Sequence, residues 1–242
     1  MTEVTTPTSE QVVESKPETA ITLPPWFERL WSDRRIRLGT IGIGIVLVGI
    51  ALFAWWRSIQ QEQEQEASLA LSRVLPYIEA QQYDAALNGD PKKTVRGEPI
   101  QGLLAIADTY GGTAAGKAAA LYAGHIYLER QRYDEAERYF EQAEASSSTV
   151  VRIGALAGLA VCKEQRKQFQ EAAQLYERLT AETESAGMKD KYTLFAAQCY
   201  EKAGDTEQAI RLYKALLAEF EFSEYAADAK AGLVRLGMVI DY

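Results

Sequence analysis

The sequence predicts an all-α protein, a single N-terminal transmembrane helix followed by an α-solenoid of helical hairpins. Two observations predict it. Residues 38–56 (LGTIGIGIVLVGIALFAWW) form 19 consecutive residues without a charge. At about 1.5 Å per residue such a run crosses a hydrocarbon core roughly 30 Å thick. From residue 113 onward one helix–turn–helix pattern recurs three times, and a period of this length marks stacked helical hairpins.

The first 25 residues are rich in Thr, Glu, Ser and Pro and lack periodic apolar positions, which predicts a disordered tail. The segment WFERLWSDRRIR (26–37) is amphipathic. It either lies at the membrane surface or extends the spanning helix; residues 1–37 thus form a tail with a short interfacial segment. The transmembrane helix, 38–56, is flanked or ended by all four tryptophans: Trp26, Trp31, Trp55 and Trp56. Their rings favour the headgroup layer. Arg29, Arg34, Arg35 and Arg37 precede the run, and only Arg57 comes close after it. The positive-inside rule then keeps the N-terminus cytoplasmic and exports the residues beyond Arg57. A cleaved signal peptide gives the same export, but this run ends in Phe53-Ala54-Trp55-Trp56 rather than small residues. A buried core helix would not need its arginines gathered at one end. Within the run, Thr40 and Gly44 form a small-xxx-small pair, read either as a dimerisation surface or as lipid-facing glycine.

Residues 57–112 read as a helical stalk and an N-terminal non-consensus hairpin. The stretch SIQQEQEQE (58–66) is polar all round and built of good helix formers. Leu71, Val74, Leu75 and Ile78 then fit the i, i+3, i+4, i+7 pattern of a helix with one buried face, interrupted by Pro76. Residues 88–99 (NGDPKKTVRGEP) read as one long loop. Tyr110-Gly111-Gly112-Thr113 reads as a helix stop and restart, since no strand precedes it and no Lys-Ser/Thr comes after it.

The chain carries a net charge of −8, about −7 of it beyond residue 37. An acidic exported domain is a poor nucleic-acid binder. One histidine, two cysteines and no CxxC give little basis for a metal site, and no cofactor is expected.

Residues 113–242 carry the repeats. The copies read LYAGHIYLERQRYDEAERYFEQA (121–143), GLAVCKEQRKQFQEAAQLYERL (158–179) and FAAQCYEKAGDTEQAIRLYKAL (195–216). Ala136, Ala172 and Ala209 align at spacings of 36 and 37. So do Gly124, Ala160 and Ala197; Tyr127, Lys163 and Tyr200; Tyr133, Phe169 and Thr206; and Phe140, Tyr176 and Tyr213. Small residues let two antiparallel helices approach, and aromatics fill the space around the contact. One hairpin cannot bury its own faces, so each stacks on the next. SEYAADAKAGLVRL (223–236), with Ser223 as N-cap and Gly237 beyond its end, reads as a capping helix.

This small–aromatic–small–aromatic order resembles the tetratricopeptide repeat, over roughly half the chain. The departures are Lys163 and Thr206 in place of aromatics and the lack of a closing proline. More narrowly, the order of tail, span, polar stalk, ALNGD (86–90), GLLAIADTYGGTAAGKAAALYAG (102–124) and repeats resembles the bacterial membrane-anchored repeat proteins of the YfgM type, in particular those of Bacteroidetes and Chlorobi. That resemblance implies a non-enzymatic adaptor in the bacterial inner membrane with its repeats in the periplasm. It would serve as a helper of the Sec translocon or of periplasmic chaperones. The alternative is a permanent structural subunit of another inner-membrane complex, and a homo-oligomer is compatible with either.

In the repeat family the first helix of each hairpin lines a groove. The register then gives Ala118, Leu121, His125 and Leu128; Gly154, Ala157, Val161 and Glu164; and Lys191, Leu194, Gln198 and Glu201 as candidate protein-binding residues. No Lys/Asn carboxylate clamp stands among them, and an amphipathic helix or apolar peptide suits them better. The protein's own segment 71–78 is the competing occupant. His125 lacks a nucleophile or carboxylate at triad-like spacing, so no catalytic residues are expected. Cys162 and Cys199 occupy equivalent places in neighbouring hairpins, roughly a helix diameter of 10 Å apart. A disulfide spans about 7 Å between Cα atoms, so two buried free thiols are expected. Glu135, Glu137, Glu141 and Glu144 read as a solvated acidic face.

Overall fold

In a computed structural model of the chain, residues 34–95, 97–183 and 187–239 are described. The tail, Trp26, Arg29 and Trp31 lie outside them, as do the side chains of residues 34–37 and 39–42, Thr40 included. The chain divides into two compact units, Met1–Trp56 and Arg57–Tyr242. The helices are α1 (Arg34–Glu79), α2 (Tyr83–Asn88), α3 (Leu103–Thr109), α4 (Ala114–Glu129), α5 (Tyr133–Glu144), α6 (Thr149–Gln165), α7 (Phe169–Glu182), α8 (Lys189–Ala203), α9 (Thr206–Glu219) and α10 (Ala226–Arg235). Two short strands, β1 (Gly89–Val95) and β2 (Glu98–Gln101), lie between α2 and α3.

In the first unit, every large apolar side chain described between Ile43 and Trp56 is more than half exposed. α1 contains one stretch long and apolar enough to cross a membrane. Pro76 sits inside α1 without ending it; the helix runs on to Glu79, where the Ala80 N–H donates to the Pro76 carbonyl at 3.0 Å.

The second unit is an α-solenoid. Successive helices pack on one another from α4 to α10, and their buried faces form two contiguous cores. The hairpins share one turn. At Gln131, Lys167 and Gly204 the backbone is left-handed (φ +60°, +61° and +81°). In each case the next N–H donates to a carbonyl five residues back, at 2.9 Å. This double-bonded helix end satisfies carbonyls that would otherwise be orphaned.

The same turn occurs a fourth time, earlier than the repeats read from sequence. Gln81 has φ +56°, and the Gln82 N–H donates to the Tyr77 carbonyl at 2.8 Å. Around it YIEAQQYDAAL (77–87) parallels YLERQRYDEAE (127–137), an offset of 50 rather than 36. The extra 14 residues are 89–102, the β-hairpin with its flanking glycines. The C-terminal part of α1 is therefore the first helix of a further hairpin, and α2 and α3 are its second helix, split by an insertion. The neck of the insertion admits no side chains. A Cβ on Gly102 would lie 2.2 Å from the Leu87 carbonyl oxygen, and one on Gly89 2.3 Å from that of Ile100.

Residues 88–99, expected as a loop, thus hold an antiparallel ladder pairing Gly89 with Gln101 and Val95 with Glu98. Pro91 and Pro99 and the lack of an apolar alternation hid the strands in the sequence. The ladder is tied to α1 instead, with Tyr77 donating to Asp90 at 3.0 Å and Ile100 buried.

The Tyr110-Gly111-Gly112-Thr113 stop and restart is observed, with Thr113 Oγ1 accepting from the Gly116 N–H at 2.9 Å. The capping helix starts two residues later than expected, with Tyr225 at its N-cap. Ser223 is not its N-cap but donates to Asp190 at 2.5 Å and accepts from the Tyr225 N–H.

Candidate protein-binding groove

The candidate residues lie on α4, α6 and α8, the first helices of three stacked hairpins. Those helices approach closely because two of their glycines grip one ring. A Cβ on Gly124 of α4 would lie 2.7 Å from the Phe140 ring of α5, and one on Gly158 of α6 2.4 Å from the same ring. At the end of the stack Gly232 of α10 meets Tyr213 of α9 in the same way, at 2.4 Å.

His125 is exposed, and its ring stands edge-to-face on Phe140 with centroids 5.1 Å apart. Partial burial disfavours its charged form and holds its pKa below the ordinary histidine value. Leu121, Leu128, Ala157, Val161 and Gln198 are half-buried, as are Ala118 and Gly154. Lys191 is half-buried too, its ammonium over the rings of Tyr192 and Phe195 at 5.6 and 5.7 Å. Leu194 must be removed from the groove. Only 2% of it is exposed, and it belongs to the core that includes Ala229 and Leu233 of α10. Its burial in that core is something a register shared between repeats cannot foresee.

Glu164 and Glu201 stand at the predicted places but are already engaged. Glu201 accepts from Tyr213 Oη at 2.6 Å and from Arg235 Nε and Nη2 at 2.7 and 2.9 Å. The guanidinium holds its carboxyl below the usual range, against the opposing pull of burial. Glu164 accepts from Tyr176 Oη at 3.4 Å and from Lys202 Nζ at 2.6 Å. Each carboxylate therefore joins a tyrosine of its own hairpin to a cation of the next. In the first copy the equivalent pair is Leu128 and Phe140: where the acid is replaced by leucine, the ring has no hydroxyl to satisfy. That covariation between copies was the signal in the sequence, and it marks Glu164 and Glu201 as inter-repeat ties.

Three of the four acids of α5 expected to be solvated are engaged, while Glu141 is exposed. Glu137 pairs with Lys163 at 2.7 Å and Arg166 at 2.6 Å, and Glu144 with Arg178 at 2.6 Å, while Glu135 pairs with Arg132. Lys163 also reaches Glu171 at 3.1 Å, so the lysine that replaces an aromatic forms a bridge. Segment 71–78, the competing occupant, takes part in the core. Its Val74 and Tyr77 share a core with Ala119, Ala123 and Ile126 of α4, extending the stack by one hairpin. Cys162 and Cys199 are buried and unbonded.

Residues 127–187 match a tetratricopeptide repeat family model, and residues 194–219 match a second. These stretches are similar to tetratricopeptide repeats. The hairpin interrupted by the β insertion lies outside both matches. A comparison with curated proteins finds no match. Tetratricopeptide repeats are typically interaction modules, so the two matches suggest a protein-binding scaffold, and among the described residues one helix is long and apolar enough to span a membrane.

Proposed function

We propose that the chain is a non-enzymatic, single-pass adaptor of the bacterial inner membrane, N-terminus cytoplasmic, that presents its repeats in the periplasm as a translocon-associated or chaperone-like helper. One observation carries the adaptor reading: the first-helix face keeps Leu121, His125, Leu128, Ala157, Val161 and Gln198 at least partly open to solvent, while the neighbouring carboxylates are held by tyrosines and cations. What remains free is apolar with a few neutral polar groups, which suits the apolar face of a helix or an extended apolar segment. The charge-free run with arginines before it supports the topology.

Purification in mild detergent followed by mass spectrometry tests the helper role. Translocon components and several exported clients at variable ratio are expected. One other membrane complex at fixed stoichiometry would replace the helper with a structural subunit. For topology, Thr5→Cys should react with a thiol reagent only after the cytoplasmic side is opened, and labelling in intact cells would reverse the orientation.

A further inference from the structure

A cavity of about 340 Å³ opens between α1, β2 and the end of α3, sharing no residue with the groove. Its central cation is Arg73, whose side chain is only 15% exposed. The offsets between hairpins place Arg73 at the position of Ala123, Leu159 and Ala196, all three buried core residues. The interrupted hairpin alone puts a charge there, and Arg73 faces the insertion that only this hairpin carries. Its Nε is buried with no hydrogen-bond partner among the described residues. Nη1 reaches Glu98 of β2 only at 3.4 Å. Two turns earlier on α1, Glu66 accepts from Tyr110 Oη, also at a long 3.5 Å. Hydrogen bonds at these distances are weak, and a buried guanidinium with spare donors is costly unless something engages it. Leu69 and Pro99 add an apolar wall, Leu69 being 47% exposed.

We propose that this cavity binds a small zwitterion, a free α-amino acid or dipeptide. Arg73 takes its carboxylate, Glu66, the carboxylate not paired with Arg73, takes its ammonium, and Leu69 and Pro99 receive an apolar side chain. The mixture of charges selects this class. An anion alone would face two carboxylates, and a cation alone would face the guanidinium. The volume sits at the small end of the range for small-molecule pockets, roughly 300–1,000 Å³.

Calorimetric titration of the full chain in detergent micelles tests this, using the twenty free L-amino acids and the dipeptides Ala-Leu, Ala-Lys and Ala-Glu. At least one should bind saturably, and its C-amidated and N-acetylated forms should each bind roughly tenfold or more weakly. Arg73→Met should abolish the penalty of amidation, and Glu66→Gln, on the exposed wall, the penalty of acetylation. If Arg73→Met fails to fold, Glu66→Gln with the acetylated probe still decides. Absence of saturable binding by the whole panel would overturn the proposal. So would affinity that ignores amidation and acetylation, or a penalty of acetylation that survives Glu66→Gln.

Discussion

Gly154 and Gly158 lie one turn apart on α6, and replacing each with alanine separates helix propensity from close packing. Either alanine gains about 1 kcal/mol by restricting the unfolded backbone. At Gly158 the new Cβ would lie 2.4 Å from Cζ of Phe140 and 2.5 Å from both Cε atoms. That ring is fully buried and held on its other side by Gly124, where a Cβ would come within 2.7 Å. It has no void to retreat into, and overpacking costs about 1–3 kcal/mol, occasionally more. With contacts this short the upper part of that range applies, leaving a net loss of about 1–2 kcal/mol. At Gly154 the Cβ would meet only the methyl ends of half-buried Leu121, at 3.2 and 3.3 Å. Those can swing aside, so Gly154→Ala should be neutral or stabilising by up to about 1 kcal/mol. Adding Phe140→Leu should recover part of the Gly158→Ala loss, a coupling of about 1 kcal/mol. Urea unfolding of the full chain in detergent, monitored by helical circular dichroism, measures all of these. A Gly158→Ala protein as stable as Gly154→Ala, or a double mutant without coupling, would refute the packing argument.

Glu201→Leu should cost about 1–3 kcal/mol by leaving the buried Tyr213 hydroxyl unsatisfied, and Tyr213→Phe about 0.5–1.5 kcal/mol, the net worth of one hydrogen bond, because Arg235 still engages Glu201. The double replacement, which copies the Phe140/Leu128 pair of the first hairpin, should cost less than the two singles together in the same urea series. His125 has a folded-state pKa below its unfolded value near 6.5. The unfolded chain therefore takes up its proton first, and stability should be full above about pH 6.5 and fall as the pH drops below it. His125→Gln should flatten that part of the curve in melting experiments across the range. Burial pushes the thiols of Cys162 and Cys199 up to about 11 and about 12. Iodoacetamide at neutral pH should therefore leave both unlabelled in the native protein and modify both in urea, as read by intact mass.

The membrane-length run, the hairpin period and the small–aromatic contacts were all legible in the sequence, because each depends on spacing along one helix. An apolar run announces its length, and a helix needs a buried face every three or four residues. A non-consensus hairpin was expected within residues 57–112, but its kinship to the repeats was not legible, because a 14-residue insertion breaks the period. It became visible only when Gln81 proved to share the turn of Gln131, Lys167 and Gly204.

The groove was half legible. Register alone picked out the faces of α4 and α6, where His125, Ala157 and Val161 remain open. It could not tell that Leu194 is buried in the core or that Arg235 and Lys202 engage Glu201 and Glu164. Those outcomes depend on which helix stacks next and which side chains it brings within reach. By itself the sequence determined the periodicities, and with them the repeat helices and their order. Only the tertiary structure decided which polar groups are spent on holding the stack together and which remain free. A carboxylate's partners come from helices more than 30 residues away in the chain, and no local pattern encodes that distance.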